Sequence, residues 1–350
     1  MTRAAFVIPG DLDLPTGGYA YDRRVLAQLP ALGIDVSHVA LPGTYPAPTA
    51  GDLEATRRLI AATGKDDVLL IDGLAYGAMP AELVASFDRR IVALVHHPLC
   101  LEAGTPPARS VELKRLETAA LALARHTIVT SPTTARTLVA DFGVAADRIT
   151  IAEPGTDAAP RAKGSDGKPM RILAVGSIVP RKGYDLLVDA LVTLKALPWR
   201  LDIAGAIDRS PETVAALEAQ IVDCGFQDRI SLLGPVDDAK LSKLYDGADI
   251  FVLASHYEGF GMVLTEALAR GLAIVCTTGG AAAETLPDDA ALKVEPGSVR
   301  ALAWCIGRVL EHETGLAKRL SEAAWAAARS LPRWDDTARR IAGVIKEVAR

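Results

Sequence analysis

Two doubly wound, Rossmann-like α/β domains in tandem are what this sequence predicts, and three observations predict them. Short runs rich in Val, Ile and Leu recur along the chain, amphipathic segments separate them, and the pattern stops near residue 160 before starting again. Strands covered on both faces read as continuous apolar runs and need crossover helices, so this alternation is that of parallel sheets. The length agrees, because 350 residues, half of them hydrophobic, suit two ordinary cores better than one.

In the first half, AAFVI, DVSHVAL, DVLLID, RIVALVHH, HTIVTS and ITIAE read as strands, with helices such as GYAYDRRVLAQLPALG and TTARTLVADFG between them. This domain is expected over residues 1–158. The stretch EPGTDAAPRAKGSDGKP, residues 153 to 169, holds Pro, Gly, Asp and Ala without large apolar residues, and 159–169 reads as a linker. RILAVGSI, WRLDIAGA, RISLLGPV, DIFVLAS and LAIVCT then give the strands of a second domain over 170–330, alternating with helices such as DLLVDALVTLKAL and SPETVAALEAQIVDCG. Open parallel sheets take ligands outside the carboxyl ends of their strands, so the two domains are expected to face a shared cleft.

Composition excludes several classes. The net charge is −5, from 38 basic and 43 acidic residues, and no Lys/Arg run is long enough for a nucleic-acid track. Cys100, Cys224, Cys276 and Cys305 lie far apart without metal-ligand spacing, which fits buried thiols in a reducing cytoplasm. The start MTRAAFVIPGDLDLP reaches Pro9 and acidic residues before a signal-peptide core forms, and no run of ~18 uncharged apolar residues occurs. The expectation is a cytoplasmic protein with no membrane span, peripheral membrane association staying open.

One stretch carries chemistry: SHYEGFGMVLTEALARG, residues 255 to 271. It reads as the exit loop of strand DIFVLAS followed by a helix that stops at Gly271. Free N–H groups at a helix start favour negative charge, and Gly259 and Gly261, around Phe260 and ahead of Met262 and Val263, let a ligand near the backbone. Two acids there, Glu258 and Glu266, would repel a phosphate they touched. They suit neutral hydroxyls at the two ends of an elongated ligand whose charged middle rests on the amides. A nucleotide sugar has that layout.

Glu258 and Glu266, eight residues apart, resemble the E-x7-E signature of retaining nucleotide-sugar glycosyltransferases of family 4, which have the two-domain GT-B architecture. GSIVPRKGYDLLVDAL, residues 176 to 191, resembles that family's first strand and loop of the second domain, with Ser177, Arg181 and Lys182 in it. A guanidinium and an ammonium at a strand exit can hold diphosphate, whereas a merely structural basic pair at a helix start is mildly unfavourable. LPTGGYAYDRRVLAQL, residues 14 to 29, resembles the family's glycine loop, in which Gly17 and Gly18 let the backbone approach the donor or acceptor. LLGPV, ending at Val236, matches the segment that reads the base, and GGAAAETL resembles a loop in which Glu284 is structural. SLPRWDDTARRI resembles the terminal segment that crosses back to the first domain, so 331–350 is expected to pack there, with Trp334 as a packing anchor.

The resemblance implies a hexosyltransferase-type enzyme that moves a sugar from a nucleoside-diphosphate sugar to a hydroxyl acceptor with retention. By that analogy the leaving diphosphate takes the acceptor's proton, Arg181 and Lys182 hold the leaving group, Glu258 orients the sugar and Glu266 anchors the ribose. Related enzymes often carry a His that contacts the sugar where ALVHHPL stands. Of His96 and His97, His97 is favoured because it lies nearer the loop. No cofactor is expected: adjacent His residues seldom chelate one ion, and Asp11 and Asp13 lie in a polar loop after the first strand. Arg181, Lys182 and the helix start already give the positive field a metal would supply. An epimerase or phosphorylase of the same fold stays open, as does a noncatalytic nucleotide-sugar-binding module. A dehydrogenase is disfavoured, since neither first strand is followed by G-x-G-x-x-G.

Overall fold

The computed structural model describes residues 1–102, 104–165, 169–311 and 315–350. Cα packing divides them into two units, Met1–Gly155 with Pro332–Arg350, and Thr156–Leu331.

The first unit holds six strands: β1 (Thr2–Pro9), β2 (Ile34–Leu41), β3 (Val68–Asp72), β4 (Ile91–Val95), β5 (His126–Val129) and β6 (Ile149–Ile151). They pair in parallel in the order β2-β1-β3-β4-β5-β6. β3 and β4 are buried at every position, as their unbroken apolar runs require. Crossover helices begin at side-chain caps: Thr16 accepts the Tyr19 N–H ahead of helix Gly17–Gln28, and Ser131 accepts the Thr134 N–H ahead of Pro132–Phe142. The latter stops at Gly143, whose φ of 69° ends the helix in the left-handed region.

The helix Trp334–Val348 completes this unit. Trp334, Thr337, Ala338, Ile341, Ala342, Val344 and Ile345 are buried along one face, and the Thr337 hydroxyl donates to the Glu153 carbonyl at 2.6 Å. Trp334 sits edge-on to Tyr21, ring centroids 5.7 Å apart, and is 7 % exposed. A Cβ on Gly155 would lie 2.2 Å from the Trp334 nitrogen, so only glycine lets the two segments run this close.

The second unit holds β7 (Met170–Val175), β8 (Trp199–Ala204), β9 (Ile230–Leu232), β10 (Ile250–Leu253), β11 (Ala273–Thr277) and β12 (Ala291–Val294). Its parallel order is β12-β11-β10-β7-β8-β9. Two cores flank the sheet, one around Leu187, Trp199, Ile203 and Ile306, the other around Tyr245, Phe251, Leu264 and Ile274. β12 is an edge strand that the sequence reading did not pick out. The order reverses between β1 and β3 in the first unit and between β7 and β10 in the second, and such reversals open a crevice at the strands' carboxyl ends.

The expected linker, 159–169, includes 166–168, which lie outside the described residues. Its described part runs along the second unit. The N–H groups of Ala162, Lys163 and Gly164 donate to the carbonyls of Arg270 and Asp246, and Asp249 takes the Ser165 N–H and hydroxyl together with the Arg171 N–H. Among the described residues, no helix is long and apolar enough to cross a membrane.

Candidate functional site

The β7/β10 reversal gathers the basic pair and the first glutamate. After β7 the chain turns through Gly176 and Ser177 into a 3₁₀ turn, Pro180–Lys182, closed by Gly183 at φ 60°. A Cβ on Gly183 would lie 2.4 Å from the Ala254 carbonyl, so this turn abuts the exit of β10. There Lys182 Nζ stands 2.6 Å from Glu258 Oε1, and Arg181 Nη1 3.3 Å from Oε2. Ser255, fully buried, donates its hydroxyl to Glu258 Oε1 at 2.6 Å. Arg181 also donates to the Tyr257 carbonyl at 2.7 Å, and its own carbonyl accepts the His256 N–H at 2.8 Å. The main chain of Glu258 is held as firmly, its N–H on the Gly279 carbonyl and its carbonyl on the Ala281 N–H. A Cβ on Gly279 or Gly280 would lie within 2.2 Å of the backbone of His256 or Glu258.

Burial acts to raise the Glu258 carboxyl, but the charges of Lys182 and Arg181 and the hydrogen bonds from Lys182 and Ser255 outweigh it and hold it at about 2. A folded-state value below the ordinary 4.5 contributes stability that is full above about 4.5 and fades as pH falls toward about 2. Glu258→Gln is therefore expected to cost on the order of 3 kcal/mol near neutral pH and much less near pH ~2.5. Denaturant unfolding of both proteins across that range checks this, and a gap that stays constant with pH would contradict it.

Glu266 lies elsewhere on the same segment. Gly261, at φ 88°, starts helix Met262–Ala269, where the first-turn N–H groups of Met262 and Val263 have no intrahelical acceptor. Glu266 accepts the Tyr245 hydroxyl at 2.9 Å, while Arg270 lies over the Tyr245 ring, 4.4 Å from its centroid. Burial raises the Glu266 carboxyl, against the Tyr245 hydrogen bond and the Arg270 charge. The half-buried side chain is thus preset at one edge. Phe260 is 9 % exposed, Gly259 is half-buried, and Ser177 and Val236 are half-buried in the loops after β7 and β9. Gly205, which the sequence reading missed, brings those loops together: at φ 157° its Cβ would lie 2.0 Å from the Gly176 carbonyl.

In the first unit Gly17 is open, with nothing within 4 Å of a Cβ, and Gly18 faces His96, whose Cδ2 would lie 3.5 Å from one. His97, favoured from sequence, pairs through Nε2 with Glu102 at 2.9 Å. His96 instead points Nε2 at two buried acids, 3.2 Å from Asp72 Oδ2 and 3.4 Å from Asp22 Oδ1. These three are the group among the described residues close enough to share a metal ion. Neither acid was singled out from sequence, although Asp72 ends a strand at the sheet's ligand edge. Asp11 accepts the Asp13 N–H in an exposed turn. Glu284 is exposed in the short helix Ala282–Thr285.

Residues 156–326 match the family described as Glycosyl transferases group 1, and residues 50–159 match Glycosyltransferase Family 4. The chain is 30% identical over 239 residues to mannosylfructose-phosphate synthase of Agrobacterium fabrum, covering 63% of this chain and 52% of that protein. Its match spans about half the length of such curated relatives. Among solved structures it is similar to sucrose-phosphate synthase of Thermosynechococcus elongatus, with a TM-score of 0.82, 20% identity and 99% of both chains covered. It is also similar to Anabaena HepE in complex with UDP and glucose, with a TM-score of 0.77, 18% identity, and coverage of 98% of this chain and 100% of that one. Glycosyltransferase family models thus match both halves of the chain, each half carries a parallel six-stranded sheet, and the chain has the GT-B fold.

Proposed function

We propose that this chain transfers a sugar, with retention, from a nucleoside-diphosphate sugar to a hydroxyl acceptor. The observation that carries the reading is the Arg181–Lys182–Glu258 cluster at the β7/β10 reversal, one loop before a helix start opened by Gly261. Lys182 and Arg181 both pair with Glu258, and an ammonium and a guanidinium held together at one strand exit are the donors that diphosphate oxygens call for. Glu258 in turn fixes where those two cations stand, and its carboxylate keeps lone pairs for sugar hydroxyls. UDP bound to a protein of like fold supports a nucleotide donor.

In the reaction, Arg181 and Lys182 take up charge that grows on the leaving diphosphate as the glycosidic bond lengthens. The diphosphate oxygen accepts the proton of the incoming hydroxyl on the same face, so configuration is retained. Glu258 orients the sugar through its hydroxyls, and Glu266, with its carboxylate preset by Tyr245, anchors the ribose.

The experiment is a matrix of nucleotide sugars against lipid, saccharide and small-molecule hydroxyl acceptors, with product configuration read by NMR. Release of nucleoside diphosphate that depends on acceptor, with the anomeric centre unchanged, is the expected outcome. Turnover of donor alone, or only with phosphate, would instead favour an epimerase or a phosphorylase. We further expect full activity in excess chelator, because two side-chain cations and a helix start already face the diphosphate. Loss of activity in EDTA, restored by Mg²⁺ or Mn²⁺, would overturn that expectation.

A further inference from the structure

At the first unit's sheet edge, three chemistry-bearing side chains meet in a small space: Asp22 from helix Gly17–Gln28, Asp72 at the end of β3, and His96 just past β4. Asp22 is completely buried, and neither of its carboxylate oxygens has a hydrogen-bond partner among the described residues. Asp72 is 2 % exposed, and its Oδ1 already accepts the Leu74 N–H at 2.8 Å. Two buried carboxylates cost several kcal/mol each unless a cation lies between them. Among the described residues, the side chain placed to be that cation is His96, whose Nε2 stands 3.2 and 3.4 Å from them.

We propose that Asp22 and Asp72 are positioning residues that keep His96 permanently protonated, so that its ring meets a substrate oxygen as a hydrogen-bond donor through Nδ1 and never acts as the base that takes the acceptor's proton. The second half of this rests on the transferase reading above; the first half does not.

The surroundings agree. Nε2 is turned toward the two acids, which leaves Nδ1 as the ring nitrogen available to a ligand, and the ring is 21% exposed. Gly18, without a side chain, lies against the Cδ2–Nε2 edge of the ring. Among the described residues, the groups that face His96 from other elements include the uncharged Tyr21 and Thr130. Tyr21 presents its ring edge at 5.2 Å with its hydroxyl committed to the Ala152 carbonyl, and Thr130 donates to the His96 carbonyl at 3.0 Å. Burial alone would lower the His96 imidazole, but the two carboxylates beside its Nε2 push it well above its ordinary value. Burial and the Asp72 charge raise Asp22.

The test is histidine NMR on the whole, substrate-free chain from about pH 6 to about pH 9, a window that an ordinary imidazole near 6.5 crosses. The His96 signals, assigned by their loss in His96→Gln, are expected to stay those of an imidazolium throughout. Asp72→Asn is expected to bring the titration into the window, and Asp22→Asn to do so as well. If Asp22→Asn fails to fold, the native titration and Asp72→Asn suffice. An imidazole that titrates near 6.5 in the native chain, or that ignores the substitution at Asp72, overturns the proposal. So does Zn²⁺ or Mn²⁺ alone displacing the His96 proton at stoichiometric concentration, which would make the triad a metal site.

For the catalytic half, kcat/KM of the native enzyme is expected to show no ionisation attributable to His96, while Asp72→Asn gains an inflection at the value NMR gives for that variant. A native inflection that disappears in His96→Gln would mean that His96 is a base. Absence of turnover with any donor, alongside an imidazolium by NMR, would remove the transferase reading and leave the triad standing.

Discussion

Replacing Arg181 and Lys182 together by alanine is expected to weaken nucleoside-diphosphate binding by at least ~100-fold. Each charge-assisted contact to a phosphate oxygen is worth about 1.5–3 kcal/mol, and ~1.4 kcal/mol is a factor of ten. Calorimetry with UDP, GDP and ADP reads the effect directly. The double variant also strands the Glu258 carboxylate, now buried beside Ser255 alone, so a fall in stability is expected alongside. Adding Glu258→Gln to the pair separates the two effects, since it removes the stranded charge without returning the cations. The triple variant is expected to recover stability and not affinity. If affinity returns with stability, or never falls, the basic pair serves the fold rather than the donor.

The two glutamates are expected to fail in different ways. In the proposed reaction Glu258 sits where charge develops on the sugar, so Glu258→Gln should lower kcat by ~100-fold while changing the donor KM little; this is about 3 kcal/mol of interaction felt mainly in the transition state. On the same proposal Glu266 makes the same ribose contact before and during reaction, and its Gln variant should raise the donor KM about tenfold with kcat nearly kept. The nucleoside diphosphate, which has ribose and no sugar, provides a control: its affinity should drop further for Glu266→Gln than for Glu258→Gln, which acts on it only by loosening Arg181 and Lys182. Both variants are to be shown folded at the assay pH. Equal loss of diphosphate affinity in the two variants would sink the division of labour.

Much of the fold could be read from the sequence because parallel strands buried on both faces leave unbroken apolar runs, as in VLLID and IVALV. β12 escaped because it is short, lies at the sheet edge and carries Lys293, so it shows no such run. At the candidate site, Arg181, Lys182 and Glu258 stand out in the sequence because glycines and charges cluster at two strand exits and because those stretches resemble motifs of one family. Their mutual pairing could not, since 76 positions separate Lys182 from its carboxylate. Ser255 looked like any loop serine until its hydroxyl was seen on Glu258. His97 was preferred to His96 from its position along the loop. The packing that turns His96 onto Asp22 and Asp72 depends on three segments that meet only in the folded sheet.

The Asp249 carboxylate has a practical consequence for dissecting this protein. Ser165 reaches it with two hydrogen bonds and Arg171 with a third, while Ala162 through Gly164 cap the carbonyls of Arg270 and Asp246. A fragment of the second half that begins at the first strand, residue 170, would discard the covering of three carbonyl and carboxylate positions at once. The natural edge for recombinant dissection, isotope-labelled fragments or domain grafting is Thr156, and the stretch that looks most like a tether in composition is part of what it would be expected to tether.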